Sequence, residues 1–217
     1  LKQGIKPVKT SRILERLKEG FVYTLGYEPM KYILLLTMLV SVMGMSYVVI
    51  MPIFAKEILG GGSATLGFLM GAAGLGALFG AIYLASRKGP EGLEKIIPLS
   101  TIIFGLGLIA FSFSRILWLS LILILIAGFG IMVQTVASNT ALQTLTDDDK
   151  RGRVMSLYAM AFMGMTPFGS LLAGALAGKI GAPRALSISG LACLSGALLY
   201  LCTVWKFKLQ PVPKSNL

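Results

Sequence analysis

Histidine is absent from all 217 residues. That single gap removes imidazole metal ligands, Ser-His-Asp triads and imidazole proton relays together. Charge is scarce as well: 13% of the chain is Asp, Glu, Lys or Arg, where a soluble domain carries about 25%. Too little polar surface is left to cover a water-soluble globule. The two cysteines, Cys193 and Cys202, are nine residues apart. On one helix that is about 13 Å, beyond disulfide reach, so both read as free packing residues with no bearing on redox compartment.

Acids are missing where they would matter most. The nine are Glu15, Glu19, Glu28, Glu57, Glu91, Glu94, Asp147, Asp148 and Asp149, and none falls inside a long apolar run. The bases avoid those runs too. A membrane-embedded hydrolase or transferase needs a base or metal ligands at depth, and this chain offers neither, so the reading is not an enzyme and requires no cofactor or metal. Buried ionisable residues also mark proton paths. If the protein is proton-driven, the proton carrier lies on a partner.

What is present is apolar and segregated. Mean hydropathy is +0.80 and 55% of residues are hydrophobic. Six charge-free stretches, Tyr32–Ala55, Ile58–Ser86, Ile96–Ser114, Ile116–Thr146, Val154–Gly178 and Ala185–Trp205, run 19 to 31 residues each. One spanning helix needs about 20 apolar residues, so each stretch holds one span. The expected fold is all-α, a six-helix transmembrane bundle over residues 31–205. Its spans lie at about 32–55, 65–86, 96–114, 116–145, 154–177 and 185–205. Residues 1–30 form a cytoplasmic linker and 206–217 a polar tail that reads as disordered. Within the linker, Ile13, Leu14, Leu17, Phe21 and Leu25 recur at helical spacing among Arg12, Arg16 and Lys18, which predicts an amphipathic helix over Ser11–Gly26.

The net charge of +11 would suggest nucleic acid in a soluble protein. Here the bases sit at span ends, and no basic stretch outside a span is interleaved with aromatics for base stacking. Nucleic acid is therefore excluded in favour of anionic headgroups. With six spans, 16 bases fall on one side and 4 on the other. The positive-inside rule puts both termini in the cytoplasm. Trp118 and Trp205 mark span ends as aromatic-belt residues. The chain opens at Leu1 in a basic polar segment without a signal peptide, and reads as the tail half of something longer.

Three clusters inside the bundle could act on a solute. Methionine gathers in the first span (Met38, Met43, Met45, Met51) and the fifth (Met155, Met160, Met163, Met165). It is a flexible, polarisable side chain that either lines an adaptable cavity or simply fills a core. The fourth span carries Gln134, Thr135, Ser138, Asn139, Thr140 and Gln143, either a polar cavity wall or interhelical hydrogen bonds. The candidate substrate cavity is Met38, Met45, Gln134, Ser138 and Met163. In the fifth span Pro167 frees the carbonyl of Met163 and bends the helix, while Gly164 and Gly169 admit a neighbour, so these three form a candidate gating hinge. Between the fourth and fifth spans Asp147, Arg151 and Arg153 form a candidate cytoplasmic latch.

These residues also resemble a known family. Asn139-Thr-Ala-Leu-Gln-Thr-Leu, then Asp147-Asp-Asp-Lys-Arg151-Gly-Arg153-Val-Met-Ser-Leu, then Met163-Gly-Met-Thr-Pro167-Phe-Gly169-Ser are similar to the C-terminal half of a major facilitator superfamily transporter. The nearest branch is the enterobactin-exporter-like and macrolide-efflux group. Gly164–Ser170 resembles the Gly-Pro-x-x-Gly antiporter motif. Leu84–Gly89 resembles the superfamily's Asp-Arg-x-Gly-Arg loop, with Ser86 at the Asp place and Pro90 at an Arg place. The resemblance implies half of a twelve-helix fold in the bacterial inner membrane, with the third and sixth spans peripheral. It further implies an N-terminal six-helix half as partner, on the same or a separate chain, and a small-molecule substrate, with the proton as candidate coupling ion. The function implied is efflux of small amphipathic molecules, drugs or siderophores, by alternating access. The alternative is a truncated or non-transporting membrane module that pairs with another membrane protein.

Overall fold

A computed structural model describes residues 20–45 and 47–204. All regular structure among them is helical. Six helices are long and apolar enough to cross a membrane: α1 (Glu28–Ile58), α2 (Ser63–Ala85), α3 (Leu93–Phe113), α4 (Leu117–Leu145), α5 (Arg151–Ile180) and α6 (Ala182–Thr203). Several extend beyond the charge-free runs. α5 begins at Arg151 rather than 154, and α1 ends at Ile58 rather than 55. Backbone hydrogen bonding continues through charged end residues whose long side chains reach the headgroups, so a charge ends an apolar run before it ends a helix.

Of the expected amphipathic helix, only residues 20–26 fall within the description, and they are helical. Its earlier part, Trp205 and the tail 206–217 lie outside the described residues. Trp118 stands largely exposed in the first turn of α4, as a belt residue should. Cys193 is buried in α6, whereas Cys202 is exposed on it and packs no core.

Close packing follows the glycines at two crossings. A Cβ on Gly76 of α2 would stand 1.9 Å from the Leu125 carbonyl oxygen, and one on Gly128 of α4 would stand 2.2 Å from that of Ala73. Gly105 of α3 and Gly190 of α6 oppose each other in the same reciprocal way, at 2.9 and 2.7 Å. Lipid tails are as apolar as leucine, so helices associate through such contact rather than through the hydrophobic effect. Other glycines at the same four-residue spacing differ: Gly67, Gly71, Gly174 and Gly178 have nothing within 4 Å of an added Cβ.

The contacts reveal internal symmetry. α4 lies against α2 and α3, α3 against α6, α6 against α1, and α5 against α1 and α6. Exchanging the first three helices with the last three maps that set onto itself except for α5 against α6, whose counterpart, α2 against α3, is not among these contacts. Because three is odd, the second triplet crosses the membrane in the opposite sense, which makes it an inverted repeat. α3 is the most enclosed helix, with 61% of its most apolar stretch buried, and its Phe111 stacks on Phe54 of α1 at 4.6 Å between ring centroids. α5 is the least enclosed at 11% and α2 follows at 22%. The bundle therefore has an open side formed by α2 and α5.

Candidate functional site: two adjoining helix breaks

α1 and α5 are both interrupted at mid-length. α1 is α-helical over Glu28–Leu39, widens to a π segment over Val40–Gly44, and resumes over Tyr47–Ile53. α5 is α-helical over Arg151–Ala159, widens over Met160–Gly164, and restarts at Thr166 with Pro167 in its first turn. Proline has no N–H for the carbonyls four and five residues before it, Met163 and Phe162. The Phe162 carbonyl is satisfied across the gap instead: it accepts the Ser41 hydroxyl of α1, and the Thr166 hydroxyl at 2.8 Å. Ser41 Oγ and Thr166 Oγ1 are also 3.2 Å apart. An unpaired carbonyl in lipid costs several kcal/mol, roughly, so the two hydroxyls are what make the interruption tolerable.

The breaks touch through backbone. A Cβ on Gly169 would lie 2.3 Å from the Val42 carbonyl oxygen, inside the π segment of α1. Gly169 thus admits a neighbour as expected. Gly164 does not: nothing lies within 4 Å of its added Cβ, so it ends the π segment facing open space. On the far side of α1, Gly44 makes room for the Phe104 ring of α3, which also meets Tyr47 edge-on at 6.1 Å between centroids. The proline was legible in the sequence. Ser41, Thr166 and the break in α1 were not, although Ser41, Gly44 and Ser46 spaced along one apolar run are the signal that could have found them.

The structure divides the candidate cavity residues. Met163 is 71% exposed, Met38 is exposed, and Met45 is partly buried against the core. Gln134 and Ser138 are both wholly enclosed, and the Gln134 amide donates to the Ser138 hydroxyl at 3.1 Å. They form a closed internal pair rather than a wall open to solute. The less enclosed pair is Asn139 and Gln143, joined at 2.5 Å along the same helix, and the Asn139 side chain also meets the Tyr158 hydroxyl of α5. A single hydrophobicity profile cannot rank these pairs, because which face of α4 meets α2 and α3 depends on the glycine crossings.

The basic end of the bundle carries the remaining candidates. Arg151 pairs with Asp148 at 2.7 Å, within one turn and largely exposed, an interaction worth about 0–1 kcal/mol. Asp147 instead accepts the Tyr23 hydroxyl at 3.3 Å, and the Lys150 ammonium sits over the Tyr23 ring at 4.5 Å from its centroid. An added Cβ on Gly20 would meet that of Arg153 at 3.0 Å. The loop thus grips the segment 20–26 that leads into α1. Partial burial first, then the Asp147 charge beside it, pushes the Tyr23 phenol above its ordinary value. Its neutral form is the one that holds the grip, and the contact weakens only as pH rises past the ordinary phenol range.

Among the described residues every charge lies in a loop or the first or last turn of a helix, and no group of three or more acidic or cysteine ligands converges on a metal position.

The transmembrane secretion effector family matches residues 3–216, almost the entire chain. The staphyloferrin A transporter of Staphylococcus aureus is 26% identical over 182 residues, covering 83% of this chain and 45% of that protein. An uncharacterised MFS-type transporter of Bacillus subtilis, YfmI, is 25% identical over 201 residues, covering 91% of this chain and 48% of that protein. The D-xylose transporter of Levilactobacillus brevis is 32% identical over 111 residues, 51% of this chain and 24% of that protein. The chain spans about half the length of the two relatives it matches most fully, and all three relatives are transporters rather than enzymes. With six membrane-crossing helices and a family match along nearly its whole length, the chain belongs to the transmembrane secretion effectors of the major facilitator superfamily, a family of multi-pass membrane transporters.

Proposed function

We propose that the chain is the C-terminal half of a secondary active transporter that exports small amphipathic molecules, drugs or siderophores, by alternating access. The observation that carries this reading is the pair of adjoining breaks in α1 and α5, beside the exposed Met38 and Met163. Broken helices facing one another are where transporters hold solute and absorb bending. One relative is named for staphyloferrin A, a siderophore. The partner is an N-terminal six-helix half, and the open faces of α2 and α5 suit it, because Gly67, Gly71, Gly174 and Gly178 leave room for close helix approach. If protons drive export, their carrier sits on that partner, since the described acids of this half lie only at helix ends and loops. Pro167 and Gly169 act as the hinge. Asp147, Arg151 and Arg153 act as a latch: Asp147 and Arg153 hold the segment that enters α1, and Arg151 pairs with Asp148 within the loop.

Produced together with its six-helix partner in an efflux-deficient bacterium, the protein is expected to lower the accumulation of fluorescent amphipathic dyes or a labelled siderophore below that of cells with either half alone. If no member of such a panel is exported while both halves reach the membrane, the chain is a non-transporting membrane module instead.

The reading places the protein in the bacterial inner membrane with both termini cytoplasmic, from the 16 to 4 distribution of bases. In a background lacking Cys193 and Cys202, Gly62→Cys and Lys179→Cys are expected to react with an impermeant maleimide in intact cells, and Gly89→Cys only after permeabilisation. Gly62 and Gly89 have open surroundings, whereas their neighbours in the same turns, Gly60 and Gly92, have φ of +62° and +78° that cysteine adopts only with strain. The reverse labelling pattern overturns the orientation.

A further inference from the structure

At the end of the bundle where most bases gather, α2 and α4 part and leave a cleft of about 550 Å³. The reason is the crossing above it. Gly76 and Gly128 hold the two helices backbone to backbone, and Gly80 still touches Met132. Beyond that point the cleft opens. Ala81 and Ala85 form one wall and Met132 and Val136 the other, and the loop carrying Arg87 and Lys88 closes the end. On α4 the lining runs from Met132 through Val136 to Thr140, one helix face about 12 Å long. The cleft is therefore a largely apolar groove running along the helices, with cations only at its headgroup end.

Arg87 is poised at that end. Its Nη2 donates to the Glu91 carbonyl at 2.5 Å, which fixes the side chain, while its Nε is buried and has no partner. A buried guanidinium N–H without an acceptor is a rare and costly state, and an anionic oxygen at the mouth of the cleft would relieve it. A second hollow of about 370 Å³ on the same loop is lined only by Arg87, Lys88, Gly89 and Glu91. It has no apolar wall and includes a carboxylate.

We propose that the α2–α4 cleft binds one anionic phospholipid of the cytoplasmic leaflet, its phosphate on Arg87 and Lys88 and one acyl chain between Ala81, Ala85, Met132 and Val136. The match is in both shape and charge. A free phosphate would leave the apolar groove empty, and an uncharged tail would leave the cations unserved. Basic hollows between transmembrane helices on the cytoplasmic side are the setting in which acidic headgroups are held. The proposal rests on the orientation given above and on no assumption about solute or transport.

The test uses the protein as its gene encodes it, purified in detergent micelles. Thermal stability and native mass spectra are recorded with added dioleoylphosphatidylglycerol, dioleoylphosphatidylcholine or inorganic phosphate. Phosphatidylglycerol is expected to raise the melting temperature and to remain bound with one-to-one stoichiometry, and the other two to do neither. The double variant Arg87→Gln/Lys88→Gln is expected to weaken phosphatidylglycerol binding about thirtyfold. Val136→Trp fills the groove without altering charge and is expected to abolish the one-to-one adduct. Circular dichroism and gel filtration confirm that each variant is folded. Equal binding of phosphatidylcholine, a response to phosphate alone, or unchanged binding in Val136→Trp overturns the site. So does an efficient crosslink from Ala85→Cys to the partner half, since a helix would then occupy the cleft. None of these results depends on dye export.

Discussion

Gly128→Leu is expected to destabilise the bundle more than any other single change considered, by about 3 kcal/mol or more. The wild-type contact leaves no room for even the first side-chain carbon, which would sit 2.2 Å from the Ala73 carbonyl oxygen and 2.9 Å from its carbon. Backbone atoms cannot swing aside as a flexible side chain can, so α2 and α4 must separate along their whole crossing. Separation also costs the reciprocal contact at Gly76. Each lost atom pair is worth only about 0.1–0.2 kcal/mol, but a helix crossing contains dozens. The measurement is thermal unfolding in detergent followed by gel filtration. The control is Gly71→Leu on the same helix, where nothing lies within 4 Å and melting is expected to match the parent when the half is studied alone. Equal melting of the Gly128 and Gly71 variants would falsify the crossing as the source of stability.

Gly169→Val is the second large effect, and it strikes function. Its new Cβ would lie 2.3 Å from the Val42 carbonyl oxygen, forcing α5 away from the π segment of α1. The Ser41 hydroxyl would then lose the Phe162 carbonyl. If the two breaks bend together during transport, uncoupling them is expected to cut the export rate by more than tenfold while the protein still inserts. That factor corresponds to about 1.4 kcal/mol on the barrier. Pro167→Ala restores an N–H to the break and is expected to slow export less severely, since Ser41 and Thr166 still bridge it. Gly164→Ala is expected to leave export unchanged, because its surroundings are open. Should Gly169→Val export at the parental rate, the breaks are packing features and the hinge is lost as an idea. Should Gly164→Ala alone be impaired, the hinge lies in backbone freedom at the end of the π segment rather than in the contact between helices.

Particular residues show where reading the chain succeeds and where it stops. The six spans, the terminal placement of charges and the proline-bearing interruption of α5 follow from length, polarity and one missing N–H. Those properties belong to a residue and its immediate neighbours. The glycines do not sort that way. Gly67 with Gly71 and Gly76 with Gly80 have the same spacing on one helix, yet the first pair has nothing within 4 Å and the second meets α4. Likewise Gln134 with Ser138 and Asn139 with Gln143 have the same spacing, and only the first pair is enclosed.

The amino-acid sequence by itself determined that this protein lives in a bilayer, how many times it crosses, and which residues stay out of the hydrocarbon. Lipid imposes those answers locally, since a charge or an unpaired backbone group is costly there whatever its neighbours are. Only the tertiary structure decided which glycines carry a crossing, that α1 breaks opposite α5 with Ser41 and Thr166 sharing one carbonyl, and that α2 and α4 leave a cleft beneath Arg87. In a membrane almost every helix face is apolar, so polarity no longer tells one face from another. The choice passes to shape, and shape complementarity exists only once two helices have met.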